Sequence, residues 1–188
     1  MLLEVVKSPA KALAGAKKKG EQHTIKLLLI NSLLIAAAFG LFLVRFSSLS
    51  TAFANIALIA ASTGFLLSLV LSVFFAYILQ IVVNTLGGNG KYMDGLAAMV
   101  YSLTALALGL FVSSLLFFIP SLGPMIALLI LSVTSALSMA TLYRAIKELF
   151  RTDMIVAFVS VSVLILSVVI AVYGTGALAV ANMFMMGV

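Results

Sequence analysis

Long uncharged stretches of apolar residues limit this chain more than any other feature of its sequence. No charged residue occurs from 46 to 90, from 95 to 143, or after Asp153. An uncharged apolar run of at least about 18 residues is long enough to cross a bilayer as a helix. Charged residues make up only 9% of the chain, whereas soluble domains carry about 25%. These stretches therefore predict an integral membrane protein.

Five apolar segments are predicted to span the membrane. They are continuously apolar and lack the residue alternation of membrane β-strands, so we expect helices. The predicted fold class is an all-α integral membrane protein, a five-transmembrane-helix bundle over residues 25–188. A basic, amphipathic cytoplasmic segment, residues 1–24, precedes it. The predicted spans are 27–44, 52–86, 96–119, 125–143 and 154–173.

The second predicted span is too long for a helix that crosses the bilayer upright. At about 1.5 Å per residue, a helix over 52–86 reaches roughly 50 Å, whereas the hydrocarbon core is about 30 Å thick. Either the helix tilts and projects beyond the bilayer, or it breaks, and Gly64 is then the expected position of the break.

The N-terminal segment separates lysines from apolar residues on a helical wheel. Ser8 followed by Pro9 fits the start of a short helix. Such a helix would lie on the membrane surface, with each lysine near anionic lipid contributing roughly 1 kcal/mol. A lysine cluster that sets topology without ordered structure is the alternative. The expected contacts to anionic headgroups are Lys7, Lys11, Lys17, Lys18 and Lys19.

Lysine and arginine are distributed unevenly between the two sides of the predicted bundle. With five spans, the N-terminus and the loops 87–94 and 144–153 share one side, which holds ten of the basic residues. The other side holds only Arg45. Because basic residues accumulate on the cytoplasmic side, we expect a cell-membrane protein with a cytoplasmic N-terminus and an external C-terminus.

The sequence "GGNGKYMDG", residues 87–95, resembles a phosphate-binding loop at first sight. It fails the pattern, because Thr85 stands where the first glycine belongs and Tyr92 follows the lysine. The preceding element is also an apolar span and not a sheet strand. A cytoplasmic turn between two helices is favoured, since glycines supply helix C-caps. Its key residues are Gly87, Gly88, Gly90, Lys91 and Asp94.

Residue types that carry catalysis or bind metals are scarce. The chain has no cysteine and one histidine, His23, which we expect to be an interfacial polar residue. The predicted spans contain no pair of carboxylates. They also contain no histidine or lysine that could activate a serine. We therefore expect no enzymatic activity, no cofactor, no metal site and no nucleic-acid partner.

Two predicted spans carry rows of small and polar residues at helical spacing. Small residues allow helix backbones to approach, and hydroxyl and amide groups bond across the contact. We expect both rows to face protein, either inside the bundle or in a contact with another protein. The second-span row is Ala60, Gly64, Ser68, Ser72, Ala76, Gln80 and Asn84, and the fourth-span row is Ser132, Ser135, Ser138 and Thr141.

Several short motifs, in this order and spacing, resemble the Yip (Ypt-interacting protein) family of small five-span proteins. "KSPAKALAGAKKK" is similar to its basic N-terminal segment, "LGGNGKY" to its glycine turn, and "YRAIKELFRTD" to the charged end of its fourth span. "VYSLTALALGLFVSSLLFFIPSLGPMIALLI" looks like its tyrosine-serine third span and short turn. The family residues here are Tyr101, Ser102, Pro120, Gly123 and Pro124.

The resemblance implies a fold and a membrane role without catalysis. Ala105 stands where a proline often follows the family's tyrosine-serine pair, and the acidic motif of the eukaryotic trafficking members is missing. The chain is thus more similar to minimal prokaryotic members. We expect a scaffold, a partner-binding subunit or an organiser of membrane shape, with the bilayer and a homo-oligomer or other membrane protein as partners. The alternative is a transporter or channel-like module whose solute path includes Ser102, Thr104 and Ser135.

Overall fold

The computed structural model describes residues 20–46 and 52–185, with side-chain burial for 20–45, 55–167 and 169–170. The described residues form helices joined by short turns and contain no strand. We number the helices α1 (Glu21–Phe46), α2 (Ala52–Thr85), α3 (Tyr92–Leu116), α4 (Gly123–Phe150) and α5 (Met154–Met185).

Helices α1 to α4 are each long and apolar enough to cross a membrane. In α5, the side chains are described without a gap only over Met154–Ser167. This stretch is apolar but shorter than the other four candidates. The prediction of an all-helical, multi-pass membrane protein is therefore confirmed, with four candidate spans and one shorter apolar helix among the described residues.

Helix α2 is continuous, so it does not break at Gly64. Its 34 residues measure about 51 Å at about 1.5 Å per residue, which exceeds a bilayer core of about 30 Å. Of the two alternatives, the unbroken helix favours the one in which α2 tilts or projects beyond the bilayer. Gly64 instead provides room for the Phe39 ring of α1, which would lie 3.2 Å from an added Cβ.

Helix α3 lies at the centre of the bundle. It packs against α1, α2 and α4, while α5 contacts α2 and α4. In the most hydrophobic part of α3, 67% of the residues are buried, compared with 22–33% in α1, α2 and α4. The outer helices instead expose large apolar side chains such as Leu58, Leu66 and Leu129, which fits contact with lipid.

The two halves of the bundle pack differently. Large buried side chains, including Leu79, Tyr101 and Phe150, fill the half in which α1 and α3 begin. In the other half the helices approach through small residues. At Gly109 of α3, any Cβ would overlap the side chain of Thr134 on α4, so only glycine permits this approach.

The predicted interfacial helix and its lysines (Lys7, Lys11, Lys17, Lys18 and Lys19) lie outside the described residues. Helix α1 begins at Glu21, within the last residues of the predicted basic segment 1–24.

Candidate functional site

The turns that follow α2 and α4 meet at one end of the bundle. The Asn89 amide donates a hydrogen bond to the Phe150 carbonyl at 3.2 Å. Gly90 lies on the ring of the fully buried Phe150, where a Cβ would overlap the ring. At the opposite end, Arg45 Nε donates to the Phe117 carbonyl at 3.0 Å. Apart from Arg45, the charged residues that the structure describes belong to the first end.

The glycine turn after α2 is a Schellman helix terminus. Gly87 has a positive φ of 94°, which favours glycine. The Gly88 amide donates to the Val83 carbonyl at 2.8 Å, and the Gly87 amide donates to the Asn84 carbonyl at 3.2 Å. The Asn84 side chain then holds the turn from both directions. Its Nδ2 donates to the Gly90 carbonyl at 3.0 Å, and its Oδ1 accepts from the Gly90 amide at 3.1 Å.

Every backbone amide from 87 to 91 donates to an acceptor within the protein. Besides the four bonds already described, the Lys91 amide donates to Asp94 Oδ2 at 2.9 Å. A phosphate-binding loop needs several free amides that point at the ligand. This turn leaves none of these five amides for a phosphate, so its geometry is that of a rigid elbow that begins α3.

Polar side chains join α1 to α3 near this end. Tyr101 Oη and His23 Nδ1 are 3.1 Å apart, and the two rings stack with their centroids 6.1 Å apart. His23 is half-buried. Besides lying just before the first predicted span, it therefore takes part in the contact between α1 and α3. Ser102, next to Tyr101, is buried and donates to the Met99 carbonyl of its own helix at 2.8 Å.

Asn31 makes a second polar contact between α1 and α3, deeper in the bundle. Its Nδ2 donates to the Val100 carbonyl at 2.8 Å and to Thr104 Oγ1 at 3.2 Å. The Asn31 side chain is 2% exposed, and its Oδ1 has no hydrogen-bond partner among the described residues. This contact was not predicted from the sequence, although an amide inside an uncharged span was a usable signal.

The small and polar row of α2 follows the inner side of that helix over most of its length. Gly64, Ser72 and Ala76 are buried, and the intervening members are half-buried. Asn84 is exposed, because it lies at the end of the helix and bonds the turn. Helices α2 and α3 pack closely at Ala76, whose carbonyl oxygen would lie 2.6 Å from a Cβ added at Gly95 of α3. The half-buried members are Ala60, Ser68 and Gln80.

The hydroxyl row of α4 is divided between two faces. Ser138 and Thr141 are buried, whereas Ser132 and Ser135 are exposed on the outer face. The row does not follow a single face because a spacing of three residues drifts around a helix with 3.6 residues per turn. Packing inside the bundle therefore does not extend to Ser132 and Ser135, and a contact of theirs with another protein stays a prediction.

The family turn between α3 and α4 closes the opposite end of the bundle. Pro124 stands in the first turn of α4, where a missing amide proton costs nothing. Pro120 accepts a hydrogen bond from the Leu122 amide at 2.9 Å. Gly123 is buried against the Leu116 carbonyl, so a larger residue would separate the two helices here.

Among the residues that the structure describes, no group of three or more His, Asp or Glu side chains is arranged to hold a metal ion. Two remaining buried hydroxyls, Thr152 Oγ1 and Ser160 Oγ, also lack hydrogen-bond partners in that part of the chain. Thr152 lies just before the start of α5, and Ser160 lies within that helix.

Comparison with known proteins identifies the family. A profile of the Yip1 domain matches residues 3–174, which includes the elbow, the α1–α3 contacts and the turn before α4. No curated protein and no solved structure matches the chain. The match covers most of the chain's length and agrees with the resemblance found in its motifs. The protein therefore belongs to the Yip1 domain family.

Proposed function

We propose that this protein is a non-catalytic, multi-pass scaffold that acts by associating with a second copy or another membrane protein. The observation that carries the proposal is the outer face of α4, where Ser132, Ser135 and Ala136 are exposed. Lipid-facing surfaces need only apolar bulk, whereas small and hydroxyl-bearing residues on an outer face favour close contact with another helix. The proposed occupant of this face is a helix of a second protein.

The proposed topology has five membrane spans, with α5 as the fifth. Two features support it. The elbow and the turn after α4 share one end of the bundle with the start of α1, as an up-and-down arrangement requires. The basic residues are concentrated at that end, which favours a cytoplasmic N-terminus and an external C-terminus.

The alternative function, transport of a small solute, receives less support from the hydroxyl groups. Ser102 and Thr104 are 2% and 0% exposed, and each donates to a carbonyl of its own helix. Ser135 is exposed on the outer face of α4. The three residues named for a solute path thus do not line one common path, since two are buried in the bundle and one lies on its outer face. This favours the scaffold.

Cysteine crosslinking in native membranes tests the scaffold directly, because the chain has no cysteine of its own. Ser132→Cys and Ala136→Cys place a thiol on the proposed contact face. Leu66→Cys is the matched control, since Leu66 is also outward-facing, at 62% exposure, on α2. A mild oxidant should then produce a crosslinked band from the α4 variants.

A band at twice the 19.8 kDa chain mass indicates a homo-oligomer, and a band of another mass indicates a different membrane protein. Both results support the proposal if the Leu66→Cys control stays uncrosslinked. Equal crosslinking on both helices indicates random collision. That result, or the absence of any band, contradicts the proposed face.

A further inference from the structure

A cavity of about 310 Å³ opens at the charged end of the bundle, between the start of α1, the start of α3 and the end of α4. Its volume is at the lower end of the range of small-molecule sites, about 300–1,000 Å³. It corresponds to about ten water molecules at roughly 30 Å³ each. The cavity adjoins the elbow at Lys91 and Asp94 and is separate from the outer face of α4.

The polar lining of the cavity carries both signs of charge. Glu21 and Asp94 bring carboxylates from the first turns of α1 and α3, and Lys91 brings an ammonium group. Asp94 uses Oδ2 to accept the Lys91 amide, and its Oδ1 accepts no bond from another described residue. Neither Glu21 nor Lys91 forms an ion pair within the described part of the chain. The ion pair found there joins Arg144 and Glu148.

Thr24 supplies an independent indication of a ligand. This residue lines the cavity and is only 4% exposed. Its hydroxyl makes no hydrogen bond to any residue that the structure describes, whereas the hydroxyls of Thr104 and Thr141 each bond a preceding carbonyl. Because the rest of the residue is buried in the bundle, the cavity is the place where this hydroxyl meets a partner, either a ligand or water.

The remaining lining is apolar, with Met93 and Leu149 among its members. The cavity lies at the ends of three candidate membrane spans, which is the level of the lipid headgroups. A ligand that fits must therefore combine a cation for two carboxylates, an anion for one ammonium, and an apolar part beside them.

We propose that this cavity binds the headgroup of an aminophospholipid. The primary ammonium of the lipid donates hydrogen bonds to Glu21 and Asp94, and its phosphate lies at the Lys91 ammonium. The Thr24 hydroxyl bonds a lipid oxygen. The proposal goes beyond the scaffold function and does not depend on the oligomeric state of the protein.

Lipid retention by the full-length protein provides the test. The protein is reconstituted with equal amounts of phosphatidylethanolamine, phosphatidylcholine and phosphatidylglycerol that carry identical acyl chains, and retained lipids are counted by native mass spectrometry. Phosphatidylcholine has no N–H to donate, and phosphatidylglycerol has no ammonium group. We expect phosphatidylethanolamine to be retained about fivefold over both, a factor typical of one charge-assisted hydrogen bond at a partly exposed site.

Variants connect the preference to the cavity. Glu21→Gln and Thr24→Val should each remove the preference, whereas Thr24→Ser should keep it because it retains the hydroxyl. Asp153→Asn is the matched control, since it neutralises an exposed carboxylate at the same end but outside the cavity. Circular dichroism melting of each variant shows that the bundle remains folded.

Three results would overturn the proposal. One is equal retention of the three lipids, and another is a preference for phosphatidylglycerol, which would indicate an anion site. The third is complete displacement of the lipid by free phosphoethanolamine at millimolar concentration, which would indicate a site for a soluble amine. None of these results bears on the crosslinking of α4, so the two proposals fail independently.

Discussion

Substituting Gly95 by alanine tests how closely α2 and α3 pack. A Cβ at this position would lie 2.6 Å from the Ala76 carbonyl oxygen. Carbon–oxygen contacts between helices settle at about 3.3–3.6 Å, so the two helices would have to separate by about 0.7–1 Å. The obstacle is backbone, which cannot rotate away as a side chain does. Gly95→Ala should therefore open the close contact between Ala76 and α3.

The expected cost follows from two opposing effects. Overpacking a well-packed contact costs about 1–3 kcal/mol, and alanine in place of helical glycine returns about 0.8–1 kcal/mol. The net loss should be about 0–2 kcal/mol, which lowers the melting temperature by up to about 8 °C for a chain of this size. Circular dichroism melting in nanodiscs measures the change.

Gly64→Ala is the matched control, because it makes the same substitution in the interior of a helix. Its nearest obstacle is the Phe39 ring at 3.2 Å, and that ring is 49% exposed and able to move. Gly64→Ala should therefore leave the melting temperature unchanged or raise it slightly. Equal stability of the two variants, or a larger loss for Gly64→Ala, would refute the packing described here.

Three further predictions concern the polar groups and the topology. Asn31→Leu should change stability by less than about 1 kcal/mol, because it removes a buried unpaired oxygen together with two hydrogen bonds, whereas Asn31→Asp should lower the melting temperature clearly by placing a carboxylate in the bundle. Asn84→Ala removes both side-chain bonds to the elbow and should speed tryptic cleavage after Lys91 by about fivefold or more. Asn89→Ala is the control, because the Asn89 side chain makes no described hydrogen bond, and trypsin should cleave this variant at the wild-type rate. A single cysteine at Ser121 should react with an impermeant thiol reagent in intact cells, and one at Lys91 should not; the reverse pattern would contradict the topology.

Hydrophobicity predicted where the helices cross the membrane better than where they end. Helix α4 continues to Phe150, beyond the predicted span end at 143. The residues between carry charge, which ends a hydrophobic run but does not end a helix, since lysine, arginine and glutamate are good helix formers. The break considered at Gly64 is also absent. The neighbouring Ser62 hydroxyl bonds the Leu58 carbonyl of its own helix, which is compatible with a continuous helix.

The candidate sites were less accessible from the sequence than the spans. The elbow's glycines were identifiable because a helix terminus imposes a local backbone requirement, as at Gly87. The contacts of His23 with Tyr101 and of Asn31 with Thr104 join residues far apart in the chain, and spacing within one helix carries no information about them. The cavity beside Thr24 likewise forms only when three helix ends meet.

The mass of the protein extracted from native membranes tests the central claim most directly. The claim is that this Yip1 domain protein works by association and not by catalysis or transport. Extraction into nanodiscs without detergent exchange, followed by mass measurement and identification of co-purifying chains, should give a defined homo-oligomer or a complex with another membrane protein. A homogeneous population with one 19.8 kDa chain per nanodisc, at every protein density tested, would contradict it.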